Sequence, residues 1–394
     1  MMLIGCDFHP SWQQVSWLDV ETGETGEQKL VHAGGEAKQF YEQLAAPVLI
    51  GMEATGNSQW FIELVEDLGH EIWIGDAAQI RASYVRKQKT DKRDAAHILK
   101  LLVEGRFPRL WTPDREQRDL RQLVLHRHKL VLIRSRVKNE LQHLSLNKGM
   151  QRKRRLWSQA GQQLLRELPL KKWAACRRED LLGLLTMLDE QIGKLDGAVE
   201  HAAEENPQSK LLMTQPGVGP NTALAFVLTI GDVGRFPRGK QVASYLGLIP
   251  REESSGGRQK LGAITKQGNR MLRSLLVEAA EVAVQHDPGL RKQYRHRCHQ
   301  KPKAVAKVAV ARKLAVRLYW MLRTNVAYPE IVRIESSSGC PWSAQARPQA
   351  LIGRSRIPHE AGCSHRRIMA EFLGRIDGWW NGLREKIPTG GDSA

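Results

Sequence analysis

Apolar positions in the first quarter of the chain come in short runs of strand length. Leu3–Phe8, Gln13–Val20 and Gln28–His32 read as three strands, with Thr22-Gly23-Glu24 suited to a hairpin turn between the last two. A helix is expected over Glu36–Leu44, a strand over Val48–Met52, a helix over Gln59–Leu68 and a strand over His70–Ile74. Ala77–Tyr84 reads as a short helix and Asp91–Glu104 as a longer one. The period then changes. From Arg118 to Leu146 apolar residues recur at helical spacing (Leu120, Leu123, Val124, Leu130, Ile133, Val137, Leu141, Leu144), and Asp180–Glu205 is a second helical stretch rich in Leu and Glu. Farther on, Ala223–Ile230 is an apolar helix, a helix starts near Asn269, and Ala304–Met321 alternates basic and apolar faces.

The order strand, strand, strand, helix, strand, helix, strand, helix is that of a ribonuclease-H-like fold, so the fold class expected is α/β plus α. Four segments are expected: residues 1–110 as the α/β domain, 111–206 as a helical linker, 207–328 as a second, mainly helical domain, and 329–394 as a tail. Two long helices joined by a connector suggest an antiparallel coiled-coil arm. The tail from about Ile331 holds Glu335-Ser336-Ser337-Ser338-Gly339 and reads as a flexible linker, followed by an amphipathic helix over Arg367–Leu383 with Trp379 and Trp380.

Charge narrows the function. Lys and Arg number 60 against 42 Asp and Glu in 394 residues, a formal net charge of +18. The excess is concentrated: between Arg121 and Arg155 the single acid is Glu140, and no acid falls between Asp287 and Glu330. Such stretches suit a polyanion. Arg152, Lys153, Arg154 and Arg155, and Lys301, Lys303 and Lys307, are the candidate phosphate contacts. No apolar run approaches the ~20 residues that span a membrane, and Met1–Gly5 has no basic region ahead of an apolar core, so neither a membrane anchor nor a secretory signal is expected. The 5 cysteines form no C-x-x-C pair, which suits reduced thiols in the cytoplasm, here with nucleoid association, and argues against zinc.

Within this basic chain, four acids fall where a metal-dependent nuclease needs them. Asp7 lies in the first strand, Glu53 ends the run Val48–Met52, and Asp91 and Asp94 form a D-x-x-D pair on one helix face. Mg²⁺ prefers hard oxygen ligands, and phosphodiester chemistry often uses two such ions about 4 Å apart. Taken singly each acid has an ordinary reading, since an acid after a strand commonly caps a helix and charged helix faces are full of D-x-x-D. Together, in this fold order, they point to a Mg²⁺ site acting on nucleic acid.

Two further segments carry possible chemistry. Gln215-Pro216-Gly217-Val218-Gly219-Pro220 resembles a helix-hairpin-helix turn, in which Gly217 and Gly219 would let backbone N–H groups meet a phosphate; a plain helix start is the other reading. Ser254-Ser255-Gly256-Gly257 sits in the loop Arg251–Gly257, by composition a Ser/Gly turn. A serine hydroxyl is a weak nucleophile without a base or a metal, and no histidine is adjacent.

The motifs Gly5-Cys6-Asp7, Met52-Glu53-Ala54-Thr55-Gly56, Lys89-Thr90-Asp91-Lys92-Arg93-Asp94-Ala95, Pro216–Pro220, Tyr245–Pro250 through Ser255-Gly256-Gly257, and Gly262–Arg273 together resemble the DEDD transposases and recombinases of bacterial insertion sequences, a family that includes Piv-type DNA invertases. The resemblance covers roughly residues 1–325 and leaves out the tail. It implies a RuvC-like N-terminal domain, a coiled-coil arm and a C-terminal transposase domain. It maps the four acids onto Asp7, Glu53, Asp91 and Asp94, and a nucleophilic serine onto Ser255 rather than Ser254. It also implies donor and target DNA as substrates, a structured guide RNA from the element, and a homo-oligomer, dimer or tetramer. The residues alone support a metal nuclease that binds nucleic acid. A RuvC-like junction resolvase with water as nucleophile, and a non-enzymatic basic binding protein whose acids are solvated, stay open as alternatives.

Overall fold

The computed structural model describes residues 1–45, 48–84, 90–151, 154–255 and 258–337. The Trp379–Trp380 helix expected in the tail lies outside them. The chain forms two compact units, one through Val199 and one from Glu200 onward.

The first unit is built on a five-stranded sheet: β1 (Met2–Phe8), β2 (Trp12–Asp19), β3 (Thr25–Val31), β4 (Val48–Glu53) and β5 (Glu71–Gly75), in the order β3-β2-β1-β4-β5. The three leading strands pair antiparallel, and β1, β4 and β5 run parallel. Helices α1 (Glu36–Glu42) and α2 (Gln59–Asp67) fill the connections to β4 and β5, and α3 (Ala77–Ala82) and α4 (Asp91–Val103) follow the last strand. Strand periodicity of two sorts the side chains. Ile4, Cys6 and Phe8 of β1 join Ile50 and Met52 of β4 in one core, which also takes Tyr41 of α1 and Phe61 of α2. The opposite face carries Leu3 and Leu49 and is covered by α4 through Ile98, Leu101 and Leu102.

On that opposite face Gly5 and Gly51 are register partners. A Cβ on Gly5 would lie 2.2 Å from the Ala95 carbonyl oxygen and 2.4 Å from the Leu99 nitrogen; one on Gly51 would lie 2.8 Å from Leu102 Cδ1. The pair of glycines makes the shelf on which α4 rests against the sheet.

Beyond the sheet, α5 (Arg115–Leu146), α6 (Gln159–Arg166) and α7 (Lys172–Glu205) enclose a Leu-rich core of Val137, Leu141, Leu165, Leu182, Leu185 and Leu188. Ion pairs Arg127–Asp196, Arg134–Asp189 and Arg177–Glu140 show that α5 and α7 run antiparallel. Part of the basic charge of α5 is therefore spent on the acids of α7, in exposed pairs worth about 0–1 kcal/mol each. α7 starts at Lys172, ahead of the expected Asp180. Its first turns are solvated, with Trp173 76% exposed, so no apolar stripe marks them.

The second unit holds α8 (Pro207–Met213), α9 (Pro220–Ile230), α10 (Gly239–Tyr245), strands β6 (Pro250–Glu252) and β7 (Leu261–Ile264), α11 (Arg270–His286), α12 (Pro288–Gln300), α13 (Lys303–Thr324) and α14 (Tyr328–Ser337). Every residue of α9 from Thr222 to Ile230 is buried, so it is the unit's central helix. Arg317 of α13 and Asp287 are both 2% exposed and meet at 2.5 Å; Gln215 and Tyr328 complete the network. Burial alone would raise the Asp287 carboxyl, but Arg317 holds it below the usual range.

Two expectations are corrected here. The segment after Pro250 is an antiparallel hairpin of β6 and β7 rather than a loop alone; its strands are short and largely exposed, so no alternation announces them. The linker expected from Ile331 begins instead as helix, with Ile331 fully buried in α14, because the Ser-rich composition that suggests a linker starts only at the helix end.

Candidate functional site

The sheet and one helix bring Asp7, Asp91 and Asp94 near one another, and Glu53 ends the neighbouring strand. Asp7 and Glu53 follow Gly5 and Gly51 by two residues, so both project on the face that α4 covers. Thr90 caps α4, its Oγ1 accepting from the Arg93 N–H, and the first turn that follows carries Asp91 and Asp94. Anionic side chains in a first helical turn are favoured by the exposed N–H groups there. The glycine shelf sets how closely that turn approaches β1.

The electrostatics record the convergence. Burial raises the Asp7 carboxyl above its ordinary value, and the nearby charges of Asp94 and Asp91 raise it further, against the lowering effect of His9. Burial and a 2.5 Å hydrogen bond to Asp94 Oδ1 push the Tyr84 hydroxyl up, and Tyr84 also feels Asp7 and Glu53. Asp94 is 6% exposed, whereas the Asp91 side chain is 53% exposed, so the D-x-x-D pair has one inner and one outer member.

Sequence reasoning missed three neighbours of this cluster. His9 Nε2 lies 3.3 Å from Asp7 Oδ2 and 3.9 Å from Asp91 Oδ1, and its ring stacks on Trp12. Arg81 approaches Glu53 at 3.9 Å. Tyr84 stacks on His97, which bonds Ser83 Oγ at 2.7 Å. The D-x-H spacing at the end of β1 could have revealed His9; nothing local marks Tyr84, which reaches Asp94 only through the fold.

The donor set suits a divalent cation. Asp7, His9 and Asp91 offer ligand atoms within 4.8 Å of one another, among the described residues. Burial is the main reason that the Asp7 carboxyl stays raised despite His9, and the charges of Asp94 and Asp91 add to it. Hard carboxylate oxygens fit Mg²⁺.

Ser255 lies in the second unit, at the far end of the β6–β7 hairpin, where it bridges Arg258 and is exposed. The two serines differ. Ser254 Oγ donates to Glu252 Oε1 at 2.8 Å and accepts from the Lys260 N–H at 3.2 Å. Among the described residues nothing bonds the Ser255 hydroxyl.

The candidate phosphate contacts are scattered. Gly217 (φ +88°) has its Cα against α11, where a Cβ would meet the Ala279 carbonyl at 2.4 Å; Gly219 is open and precedes α9. Lys301 and Lys303 are exposed at the α12–α13 junction, while Lys307 is bound to Glu281 at 2.5 Å. Arg155 is exposed, Arg154 opens a single turn of 3-10 helix, and Arg152 and Lys153 lie outside the described residues. No described helix is long and apolar enough to cross a membrane.

The proteins that this chain is similar to include transposases and gene-inverting proteins. A DEDD transposase model of the IS110 type matches residues 4–146, the stretch holding all four acids. The model of the transposase IS116/IS110/IS902 family matches residues 209–295, which include Ser255. The chain is 29% identical over 336 residues to a Pseudomonas aeruginosa protein named "Probable family 20 transposase", covering 82% of this chain and 98% of the relative. It is 27% identical to the transposase for insertion sequence element IS1111A of Coxiella burnetii, covering 66% and 72%. It is 30% identical to the pilin gene-inverting protein of Moraxella bovis, covering 61% and 67%.

Proposed function

The chain belongs to the IS116/IS110/IS902 transposase family, and on that premise we propose that it cuts and rejoins DNA strands with Ser255 as nucleophile and Asp7, Glu53, Asp91 and Asp94 as the ligands of Mg²⁺. The observation that supports the reading most is the approach of Asp91 and Asp94 to Asp7 on the α4 face of a sheet ordered β3-β2-β1-β4-β5, an arrangement consistent with a RuvC-like domain. Bound there, Mg²⁺ supplies Lewis-acid polarisation of the scissile phosphate and lowers the cost of deprotonating a hydroxyl. The chain's own residues do the rest. Asp94, held by Tyr84, and Asp7, flanked by His9, present fixed oxygens. The Ser255 oxygen forms the new bond to phosphorus, the bond to the 3′ oxygen breaks, and that oxygen leaves as a 3′ hydroxyl with the proton that serine gives up. The strand is kept as a phosphoserine ester, so its bond energy is retained for rejoining by the reverse attack.

Ser255 and the acids belong to different units of the chain. The reaction needs both at one phosphate, and in this reading the site is shared between subunits of a homo-oligomer. The antiparallel α5–α7 pair serves in it as a coiled-coil arm. A structured guide RNA is part of it too, and the net charge of +18 is compatible with a second polyanion beside the DNA. Donor and target DNA are the substrates.

The test is strand cleavage by Asp7→Asn and Asp91→Asn. Both should lose cleavage in Mg²⁺ while keeping nucleic-acid binding near normal, because an amide weakens the metal site and leaves the basic surface intact. Full recombination by either variant would remove that residue from the site. Recombination by protein freed of RNA with ribonuclease would remove the guide.

A further inference from the structure

We propose that a groove of the second unit, beneath the hairpin that carries Ser255, holds a single-stranded nucleic-acid segment with its bases unstacked against an apolar floor. The groove has a volume of about 890 Å³ and lies between the base of the β6–β7 hairpin and the faces of α12 and α13. That volume is within the range of sites that enclose ligands of nucleotide size.

Its chemistry is divided. The floor and walls are aliphatic: Leu248, Leu261 and Ile264 on the hairpin side, Val305, Val308 and Val316 on α13. Leu261 is 53% exposed and Val305 51% exposed, an unusual placement for large aliphatic side chains on two facing walls. The rim is cationic. Lys240, Arg297, Lys301, Arg312 and Lys313 contribute to the lining, and no acidic residue does; a sixth cation there, Arg317, is buried against Asp287. Among the described residues none of these five is in an ion pair, in contrast to the neighbouring Lys307, which Glu281 neutralises.

A duplex presents phosphates outward and hides its bases, so it would use the rim and leave the apolar floor wet. An acidic protein segment would match the charge, but five cations with no acid among them favour a partner with negative charge at every repeat. A single strand offers both: phosphates for the rim, and base faces for the floor and for the guanidinium planes of Arg297 and Arg312. The placement gives the groove a use. Pro250 of the lining is five residues from Ser255 along one hairpin arm, roughly 16 Å at ~3.3 Å per residue. A strand seated there is held near the hydroxyl that the proposed function assigns as nucleophile, and the inference rests on that assignment for its purpose though not for its binding.

The experiment is fluorescence anisotropy on the full chain with four labelled probes: a short oligothymidylate, an oligouridylate of the same length, an abasic strand of equal length and charge, and a duplex. The single strands with bases should bind about ten-fold tighter than the abasic strand. Whichever of the DNA and RNA strands binds tighter identifies the source. Leu261→Asn and Val305→Asn, both at exposed positions and adding no charge, should bring the base-containing strands down to the abasic affinity without changing the thermal midpoint or duplex binding. Equal binding of abasic and base-containing strands by the wild type overturns the proposal without recourse to any variant. So does wild-type affinity in both variants. If the variants instead change the sedimentation velocity of the protein and leave oligonucleotide binding intact, the groove is a face between copies of the chain and the nucleic-acid assignment is wrong. Cleavage that persists in Asp7→Asn would sink the metal-site reading while leaving these affinities unaffected.

Discussion

Asp94 is the residue on which the acid cluster turns. It is the inner member of the D-x-x-D pair, nearly buried, and Tyr84 donates to one of its oxygens at 2.5 Å. Removing that donor leaves the carboxylate in place but frees its orientation. Tyr84→Phe should therefore raise the Mg²⁺ concentration for half-maximal cleavage by about ten-fold, the lower end of what outer partners of metal ligands contribute. Its cleavage rate at saturating Mg²⁺ and its melting temperature should stay close to wild type. A merely structural tyrosine would instead lower the melting temperature and leave the metal midpoint unmoved. At the same scale the two serines separate. Ser254 is tied to Glu252 and to the Lys260 N–H within the hairpin, and Ser255 has no such tie among the described residues. The sequence could not distinguish their local bonding, because it depends on strands too short to leave a pattern.

One helix and two strands build the proposed metal site, and the packing between them depends on Gly5. The Cβ of any other residue would run into the backbone of α4 at Ala95 and Leu99, neither of which can swing aside. Gly5→Val should cost about 1–3 kcal/mol of stability through overpacking. It should also abolish metal-dependent cleavage by lifting Asp91 and Asp94 from Asp7, and a calorimetric titration with Mg²⁺ would show the loss directly. Unchanged Mg²⁺ affinity in a folded Gly5→Val protein would mean that α4 does not set the site. Elements of this kind are legible in the sequence because their patterns are strong. The runs Leu3–Phe8 and Val48–Met52 and the helix with the D-x-x-D pair mark both the strands and the acids from the residues alone. The hairpin after Pro250, the early turns of α7 and the first part of α14 are not legible, since solvated or very short segments carry no periodicity. His9 is within reach of sequence reasoning and Tyr84 is not, one being two positions from Asp7 and the other meeting Asp94 only in space.

Across the whole molecule the charge is more selective than its total of +18 suggests. Arg127, Arg134 and Arg177 are engaged with acids of the paired helices, which leaves less of the α5 charge for a polyanion. The run Arg152–Arg155, between α5 and α6, is the densest candidate. Replacing its four residues with Ala should flatten the dependence of log affinity on log salt by about 1 for each phosphate that the protein no longer neutralises. An unaltered slope would assign the run to a solvated face. The central claim joins the two units of the chain in one reaction, and a covalent intermediate reports on it most directly. On a nicked substrate that traps the reaction, wild-type protein should form a protein–DNA adduct that survives denaturing gels, with the phosphate located on Ser255 by mass spectrometry. Ser254→Ala should still form it, and Ser255→Ala should form none and should not cut. Cleavage by Ser255→Ala at the wild-type rate with no adduct at any position would make water the nucleophile and contradict the account.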